Sequence, residues 1–551
     1  MKNFNTLNIH YNLFSENKKK KSIILFLFIA SVLEMSGIAL IYPLVALFFN
    51  LNINKGIIYD RLIDFLTYYN FYDLKIILIF FLFFLLLLKA FFLIYFRYLL
   101  SNNSFNIILK YRKKIFKNLF LSKYGYVQEK LSKITNTLTY QSDAVGSAVT
   151  NQFNIIGNFI NISFLFLLFI IFSFKIFLIS LLLITVSTFF FRFLISFVKI
   201  LSGKLLDSQK KYYLVINETL KNYQYLKVSN SYNHLYFNFV KILINIKNNN
   251  ILFVLVNRGT QFLSEPITVL LILLTFYIAI DYLNFDIALA GVLFIICLRL
   301  YGGILKLFDN IQSYKKDLVS YKDLNLFLSN IQNNIEHKKR DKILPLFRKI
   351  IINNLTFSQK EKVIFKNLSF EIDKNTLVLV KGKSGSGKST LLNCLTGLIE
   401  PTAGQITYDN ININEINKND LKNKIGYVLQ ENFFFHGSII ENLKFNNKNI
   451  DLAEIDRLAK ILNLNNLIKE NININEATSN LSIGEKQRLA LLRELIKKPS
   501  VLILDEVTSS IDQKSINLII SYIKLLKKNV TIVAVTHKDD FDEISDKIIE
   551  F

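Results

Sequence analysis

The residues Leu377 to Thr390 read Leu-Val-Leu-Val-Lys-Gly-Lys-Ser-Gly-Ser-Gly-Lys-Ser-Thr, and they decide the fold of the C-terminal part of the chain. The four apolar residues predict a short buried β-strand, the glycines predict a loop, and the apolar run after Thr390 predicts a helix. A strand, a Gly-x-x-x-x-Gly-Lys-Ser loop and a helix in this order form a phosphate-binding loop. The stretch therefore predicts an α/β P-loop domain that binds a nucleotide.

The loop supplies phosphate contacts from its backbone and from two side chains. Its glycines let backbone N–H groups curl around phosphate oxygens, and the helix N-terminus adds positive potential. We expect Lys388 to reach the β- and γ-phosphates and the hydroxyl of Ser389 to coordinate Mg²⁺. The predicted phosphate-binding residues are Gly382, Lys383, Ser384, Gly385, Ser386, Gly387, Lys388, Ser389 and Thr390.

A second apolar run, Val501 to Leu504, predicts a buried strand that ends in the carboxylates of Asp505 and Glu506. Phosphoryl transfer needs groups that hold the metal and orient the attacking water. Asp505 is therefore a predicted Mg²⁺ ligand, and Glu506 is predicted to polarise the water. The second carboxylate indicates hydrolysis rather than binding alone.

The stretch Leu481 to Arg488 opens a predicted helix, with leucines at helical spacing after it. Ser482 and Gly484 at the N-terminus of this helix form a second anion site. One nucleotide does not need two such sites in one domain. We therefore expect this turn to contact the γ-phosphate bound by a partner domain, which predicts a dimer around the nucleotide.

Together these residues resemble the ATP-binding cassette (ABC) superfamily, from about residue 345 to the end of the chain. The resemblance implies ATP and Mg²⁺ as ligands. It makes Gln430 the glutamine that senses Mg²⁺ and contacts the membrane domain, and Ser482 to Glu485 the signature motif. It also makes Ser509 to Asp512 the D-loop, with Asp512 at the nucleotide, and His537 the histidine that contacts the γ-phosphate.

Three regions depart from the pattern of that family. Ile483 and Glu485 stand where the family usually has Gly and Gln, while the phosphate-contacting Ser482 and Gly484 are retained. Gln359 stands where an aromatic residue usually stacks on adenine, so stacking is weak or is supplied by another aromatic residue. Glu476 fits the segment before the signature, although its usual glycines are replaced.

The N-terminal part of the chain is strongly apolar and predicts an all-α membrane domain. The whole chain is 52% hydrophobic and contains 50 Phe. A bilayer crossing needs about 20 apolar residues. Six runs are long enough, near 22–50, 75–99, 147–173, 176–199, 251–280 and 286–306. A tight external turn is expected at Ser173, between the third and fourth spans.

The distribution of charged residues predicts how the chain is oriented in the membrane. The net charge is +24, and basic clusters lie before the first span and within 101–145 and 200–250. These three regions are predicted to be cytoplasmic, which places both termini inside. The two long regions are helical in pattern and predict stalks that extend the membrane helices.

No nucleic-acid-binding module is recognisable, so no nucleic-acid partner is expected. The two cysteines predict no disulfide.

These features predict four segments: a cytoplasmic N-terminal segment at 1–21, a six-span domain at 22–310, a linker at 311–345 and the ATPase domain at 346–551. Six spans followed by one cassette resembles half-size ABC exporters of the type IV fold. The resemblance implies pairing with a second copy, or with a paralogous half-transporter, in the inner membrane of a bacterium. An importer is disfavoured because its two parts usually lie on separate chains.

The transported substrate is predicted from the first span. Glu34 followed by Pro43 in an apolar span is similar to bacterial lipid-linked oligosaccharide flippases, whose substrate carries a pyrophosphate. Deep charges such as Lys89 and Arg192 would then have a purpose, whereas Arg299 is expected to snorkel. Helix shaping or an internal ion pair would also explain these residues. The predicted function is therefore an ATP-hydrolysing exporter or flippase of a lipid or lipid-linked saccharide. Export of a peptide or toxin, or of another hydrophobic compound, is an alternative, as is an ATP-gated channel or regulator.

Overall fold

The structure is a computed structural model. It describes residues 14–15, 19–48, 74–222, 226, 232–282, 285, 287–335, 342–344, 348–359, 362–383, 385–444, 452–471, 473–474, 481–508 and 512–551. Inside the helices, the side chains at 74, 179–199, 221, 232–235, 256–265, 267–268, 271–272 and 279 are outside the described set. The chain forms two units, one of residues 1–122 and 127–335, and one of residues 123–126 and 336–551.

The described residues of the first unit lie almost entirely in helices. Its helices are α1 (Lys20–Phe48), α2 (Leu74–Leu121), α3 (Tyr124–Glu129, shared with the second unit), α4 (Leu131–Asn136), α5 (Ser142–Phe172), α6 (Phe174–Lys221), α7 (Tyr232–Tyr277) and α8 (Ile287–Asn333). Single π-helical turns precede α5, at Thr137–Gln141, and follow α7, at Ile278–Tyr282. Helix α5 packs along α8, α1 along α2, and α6 along α7.

Four helices of the described part are long and apolar enough to cross a membrane, and they coincide with the first, second, third and sixth predicted spans except for a few terminal residues, of which 49, 50 and 286 lie outside the described residues. The predicted fourth and fifth spans lie in α6 and α7, and many of their side chains are outside the described residues. The predicted break between the two helices is present: Ser173 is extended (φ −162°) and caps α6 by accepting a hydrogen bond from the Ile176 N–H. Its placement on the outer side stays a prediction.

The predicted stalks are helical. Helix α2 runs for 48 residues and α6 for 48 residues, which is about 70 Å each at 1.5 Å per residue and more than twice the apolar thickness of a bilayer. In the stalk, Asp323 joins three elements. Its carboxylate accepts a hydrogen bond from Gln141 at 2.6 Å and lies 3.3 Å and 3.8 Å from the Lys210 and Lys133 ammonium groups.

The domain boundary predicted at residue 310 falls inside α8. The helix continues to Asn333 because apolar residues at helical spacing give it a buried face beyond the membrane span. These residues include Leu318, Tyr321, Leu324, Leu328 and Ile331. The first half of the predicted linker is therefore helical, and the division between the two units follows residue 335.

The second unit contains the α/β domain. Its strands are β1 (Lys349–Gln359), β2 (Lys362–Asp373), β3 (Leu377–Lys381), β4 (Ala403–Tyr408), β5 (Ile411–Asn412), β6 (Ile425–Val428), β7 (Gly437–Ser438), β8 (Asn473–Ile474), β9 (Val501–Asp505), β10 (Thr531–Val535) and β11 (Lys547–Glu550). Its helices are α9 (Lys388–Leu395), α10 (Lys418–Lys424), α11 (Ile439–Leu443), α12 (Leu452–Ile461), α13 (Asn465–Glu470), α14 (Ile483–Leu495) and α15 (Gln513–Leu526).

Five parallel strands form the central sheet in the order β11-β3-β10-β9-β6. Strands β3, β9 and β10 are buried along their whole length apart from Lys381, as expected for a parallel sheet covered on both faces. A four-stranded antiparallel sheet, β2-β1-β4-β5, lies in the same unit. The central sheet brings the C-terminal ends of β3, β6, β9 and β10 to one edge, where the functional residues follow.

Candidate functional site

The phosphate-binding loop joins β3 to α9 as predicted. Gly385 (φ +79°) and Gly387 (φ +103°) adopt the left-handed conformation that favours glycine. A Cβ on Gly387 would lie 2.6 Å from a side-chain carbon of Ile364, so this position also needs the absence of a side chain. Gly387 is the N-cap of α9, which points the helix N-terminus into the loop. Ser384 lies outside the described residues.

The lysine of this loop is held inside it. The Lys388 ammonium donates hydrogen bonds to the carbonyl oxygens of Gly382 (2.9 Å) and Lys383 (2.8 Å). Burial lowers the pKa of Lys388, while the charges of Glu506 and Asp505 oppose that shift. The buried hydroxyl of Ser386 has no hydrogen-bond partner in the described part of the chain. A concave loop with a buried ammonium and an unsatisfied hydroxyl fits a phosphate group.

Oxygen donors suited to Mg²⁺ meet beside the loop. The Ser389 hydroxyl donates to Asp505 Oδ1 at 3.3 Å, at the end of β9. Burial raises the pKa of Asp505, and the hydrogen bonds from Ser389 and Tyr427 oppose that rise. One carboxylate and one hydroxyl next to a phosphate loop suit Mg²⁺, which keeps several water ligands and binds substrate phosphates. No cluster of three or more His, Cys, Asp or Glu suited to a metal occurs among the described residues.

Glu506 is held between two of the other predicted residues. Gln430 donates from Nε2 to Glu506 Oε2 at 2.8 Å, and His537 Nε2 lies 3.0 Å from Glu506 Oε1. Glu506 itself has φ +50°, a left-handed conformation that is costly for a residue with a Cβ. Its backbone N–H is bound to the carbonyl of Val535, which holds this geometry. The structure therefore brings together the side chains of Gln430, Glu506 and His537. The first and the last of these are 107 positions apart in the sequence (537 minus 430).

Tyr427, which the sequence reading did not select, also contacts Asp505. Its hydroxyl lies 3.4 Å from Asp505 Oδ2 and 3.4 Å from Asn393 Oδ1, which is on α9. The side chain spans from β6 to β9 and to the helix that follows the phosphate loop. The feature of the sequence that indicates Tyr427 is its position, three residues before Gln430 and on a predicted strand of the central sheet.

Replacing Tyr427 by phenylalanine is expected to raise the Mg²⁺ concentration for half-maximal ATP hydrolysis by about tenfold, the lower end for loss of a hydrogen bond behind a metal ligand. Nucleotide binding without Mg²⁺ should be unchanged, because the phosphate loop is intact. A Mg²⁺ titration and an equilibrium binding measurement in EDTA check both parts. The matched control is Tyr522→Phe on α15. An unchanged Mg²⁺ requirement would remove Tyr427 from the site.

The predicted second anion site lies at the start of α14. Ser482 caps the helix: its hydroxyl accepts from the Glu485 N–H at 3.2 Å, and the Ser482 N–H donates to Glu485 Oε2 at 2.7 Å. The Ser482 hydroxyl also donates to the same carboxylate oxygen at 2.8 Å. Glu485 thus forms a reciprocal capping box, which explains a carboxylate at this position. Gly484 is buried in the first turn.

The D-loop is described only at its end. Asp512 caps α15 and accepts a hydrogen bond from the Ser515 N–H at 3.0 Å. The hydrogen bond from the Ser515 hydroxyl, followed by that from the Ser515 N–H, holds the pKa of Asp512 below its usual range. Arg488 of α14 donates to the Ser515 hydroxyl, which ties the two helices together. Ser509, Ser510 and Glu476 lie outside the described residues.

The expected adenine-stacking position is exposed and polar. Gln359 is the last residue of β1. Two aromatic rings lie close to the phosphate loop instead: Phe365 and Phe551 pack edge to face with centroids 5.5 Å apart, and both approach Gly387. These rings contact each other, so they give the loop an apolar wall.

A separate group of charges lies in the membrane helices. The Glu34 carboxylate of α1 is 2.9 Å from the Lys89 ammonium of α2 and 3.9 Å from the Arg299 guanidinium of α8. The Glu34 and Lys89 side chains are 12% and 18% exposed, whereas Arg299 is 61% exposed. Glu34 and Lys89 thus form an ion pair. The Arg192 side chain lies outside the described residues.

Comparisons with known proteins identify the family to which each part of the chain is similar. The model of the ABC transporter family matches residues 365–509, and the model of the ABC transporter transmembrane region matches residues 23–300. The solved structure of a bacterial Atm1-family ABC exporter with ATP bound superimposes with a TM-score of 0.78 at 17% identity, covering 97% of this chain and 93% of that one. At that identity the likeness shows the fold alone.

Curated relatives match over a shorter stretch. The ABC multidrug transporter mdr2 of Aspergillus fumigatus is 35% identical over 231 residues, which is 40% of this chain and 29% of that protein. The ATP-dependent permease MDL1 of Candida albicans is 36% identical over 202 residues, which is 35% of this chain and 30% of that protein. The alignments therefore span less than a third of the length of these two relatives.

Proposed function

This chain belongs to the ABC transporter family, and from that premise we propose that it is an exporter or flippase that hydrolyses ATP to move a lipid or lipid-linked saccharide across a membrane. The observation that carries the ATPase part is the arrangement around Glu506, with Gln430 and His537 on its two carboxylate oxygens and Lys388 in the adjacent loop. Such a site can orient water against a bound phosphate.

The proposed reaction follows from these side chains. Lys388 and the loop N–H groups hold the β- and γ-phosphates, and Ser389 and Asp505 would hold Mg²⁺. Mg²⁺ neutralises charge on these phosphates when it is bound. A Glu506 carboxylate oxygen accepts a proton from the attacking water, and His537 and Gln430 hold that carboxylate in place. The water oxygen bonds to the γ-phosphorus, the bond from the γ-phosphorus to the oxygen bridging the β-phosphate breaks, and ADP leaves with that oxygen while inorganic phosphate forms.

The proposed partner is a second copy of this chain or a paralogous half-transporter. Ser482 and Gly484 begin α14, an element separate from the phosphate loop. A helix N-terminus with a serine hydroxyl suits an anion. We assign these residues and Asp512 to the nucleotide bound by the partner. Two copies would then form two such sites, each with an intact Glu506.

The proposed location is the inner membrane of a bacterium, with the ATPase domain and both termini in the cytoplasm. The support is the distribution of Lys and Arg, which cluster before the first span and in the two stalk regions. The apolar helices of the first unit make the chain a multi-pass membrane protein.

The proposed substrate class rests on the charges among α1, α2 and α8. Glu34 has two basic neighbours, Lys89 and Arg299, so this group has a net charge of +1. An unbalanced charge within a membrane costs about 2.5–3.5 kcal/mol or more at the helix centre. An anionic headgroup on an amphiphile would balance it, and the exposed Arg299 is the member that can reach it.

Lipids with and without an anionic headgroup distinguish the proposed substrate class from an uncharged hydrophobic compound. In proteoliposomes, a polyprenyl diphosphate-linked saccharide should stimulate ATP hydrolysis more than an uncharged polyprenol of the same length. Arg299→Gln should raise the concentration for half-maximal stimulation by about tenfold, as expected for one charge-assisted hydrogen bond. Arg97→Gln, at an arginine bound to Asn154 on α5, is the matched control. Equal stimulation by both lipids, or an unchanged half-maximal concentration, would contradict the substrate proposal.

A further inference from the structure

The chain that follows His537 contacts the end of the strand that carries the phosphate loop. Strand β10 ends at Val535, and after His537 the chain forms a 3₁₀ turn at Asp539–Ile544, which we call the Asp539 turn. The chain then forms β11, which lies on the other side of β3 from β10. The Asp539 turn therefore meets the end of β3, where Lys381 directly precedes Gly382 of the phosphate loop.

Lys381 binds two carboxylates of this turn. Its ammonium donates hydrogen bonds to Asp542 Oδ2 at 2.6 Å and to Asp539 Oδ1 at 2.7 Å. The Lys381 and Asp542 side chains are 24% and 34% exposed, whereas the Asp539 side chain is 90% exposed. Water and salt weaken an ion pair at an exposed carboxylate. Asp542 is therefore the partner whose attraction to Lys381 is less screened.

The two carboxylates depend on this ammonium group. Both of them bind the same nitrogen atom, so they lie close enough to repel each other when it is absent. The other oxygen of Asp542, Oδ1, is buried and has no hydrogen-bond partner among the described residues. Loss of the Lys381 charge would leave two neighbouring negative charges in one turn. We expect the start of the turn to shift so that water can separate them.

Such a shift would reach His537, because the Asp539 turn begins two residues after it. The residue between them, Lys538, donates from its ammonium to the carbonyl oxygen of Thr508 at 2.9 Å, in the segment that follows β9. The chain after His537 is thus attached to both strands that flank β10, to β3 through Lys381 and to the end of β9 through Lys538. His537 Nε2 lies 3.0 Å from Glu506 Oε1, and a displacement of about 1 Å would break this contact.

The far part of the turn has a separate attachment. Phe541 and Ile544 are buried in the core of the domain, and the Lys527 ammonium donates to the Ile544 carbonyl oxygen at 2.9 Å. These contacts do not involve Lys381. Removal of the Lys381 charge should therefore displace the start of the turn while the domain stays folded.

We propose that Lys381 is a positioning residue for His537. By binding Asp542 and Asp539, it holds the start of the turn, and with it His537, against the strand that carries the phosphate loop. His537 then stays on the Glu506 carboxylate during hydrolysis. This inference rests on the proposed function, in which Glu506 and His537 act on bound ATP, and it adds a residue to that site.

The first test separates nucleotide binding from turnover in the full chain. Lys381→Met should lower kcat for ATP hydrolysis by about tenfold, as for other misplaced catalytic groups, and Lys381→Arg should retain most of kcat. The affinity for a fluorescent ATP analogue should stay within about threefold, because Lys388 is untouched. Lys349→Met is the matched control, since Lys349 also faces two carboxylates, Glu371 and Asp373, in the other sheet. Unchanged kcat, or lost ATP binding, in Lys381→Met would overturn the proposal.

The second test asks whether repulsion causes the loss. Asp539→Asn alone should change kcat little, because this carboxylate is exposed. Combined with Lys381→Met, the same change should recover part of kcat, because it removes one of the two repelling charges. No recovery would overturn the proposal. If Lys381→Met does not fold, Asp542→Asn tests the same contact: it should lower kcat by about threefold at unchanged ATP affinity, and an unchanged kcat would contradict the inference.

The third test is a double-mutant cycle between Lys381→Met and His537→Ala. If Lys381 acts through His537, the double variant should lose little more kcat than His537→Ala alone. Multiplied losses would overturn the inference while leaving the proposed ATPase function standing. An unchanged kcat in His537→Ala would instead contradict the role given to His537 in the proposed function, and the inference with it.

Discussion

Glu506→Gln is expected to lower ATP hydrolysis by about 100-fold or more, the loss that follows removal of a general base. The amide has the shape of the carboxylate, but it does not accept the proton of the attacking water. The contacts of Lys388 and Ser389 remain, so the affinity for Mg²⁺-ATP should change little. ATP should therefore hold two ATPase domains together in a closed state.

Steady-state phosphate release, an ATP-binding isotherm and light scattering with and without Mg²⁺-ATP check this expectation. Glu543→Gln, an exposed carboxylate of the same domain, is the matched control. Hydrolysis at the wild-type rate in Glu506→Gln would show that another group activates the water. Lost ATP binding would show that Glu506 supports the fold of the site instead.

The second large effect is expected at the phosphate loop, where Lys388→Ala should weaken ATP binding by about 100-fold or more. Each hydrogen bond from a charged donor contributes about 1.5–3 kcal/mol, and the ammonium can donate to more than one phosphate oxygen. In the structure the Lys388 ammonium donates to the carbonyl oxygens of Gly382 and Lys383, which shows that it points into the loop.

Lys388 is buried, so its replacement by Ala also removes packing contacts. Lys388→Met keeps most of the side-chain volume and therefore separates loss of the ammonium group from a packing defect. Equilibrium binding of ATP is the measurement, with circular dichroism as a check of the fold and Lys366→Ala, at an exposed lysine of β2, as control. Near-normal affinity in a folded Lys388→Met variant would contradict the assignment of the phosphate loop.

The backbone of the candidate nucleotide site was predictable because its motifs specify local conformation. Glycines at Gly385 and Gly387 permit the left-handed turns, and four apolar residues before Asp505 place that carboxylate at the end of a buried strand. Parallel strands then bring Gln430, Glu506 and His537 to one edge of a sheet.

Contacts between distant elements were not predictable in the same way. Helical periodicity shows that Glu34 lies in an apolar helix, but it does not show that Lys89 and Arg299 approach it from two other helices. Lys381 similarly appears in sequence as the end of a strand, with no sign that Asp542 lies against it. The boundary near residue 310 was missed because the apolar period of α8 continues without a break into the stalk.

The central claim is that hydrolysis at the Glu506 site drives movement of an anionic lipid-linked substrate. The most direct measurement is transfer of a labelled polyprenyl diphosphate-linked saccharide between the leaflets of proteoliposomes, with Mg²⁺-ATP, for the wild type and Glu506→Gln at equal reconstitution. The account predicts ATP-dependent transfer by the wild type and none above protein-free vesicles by the variant. Equal transfer by both proteins, or transfer by neither, would contradict it.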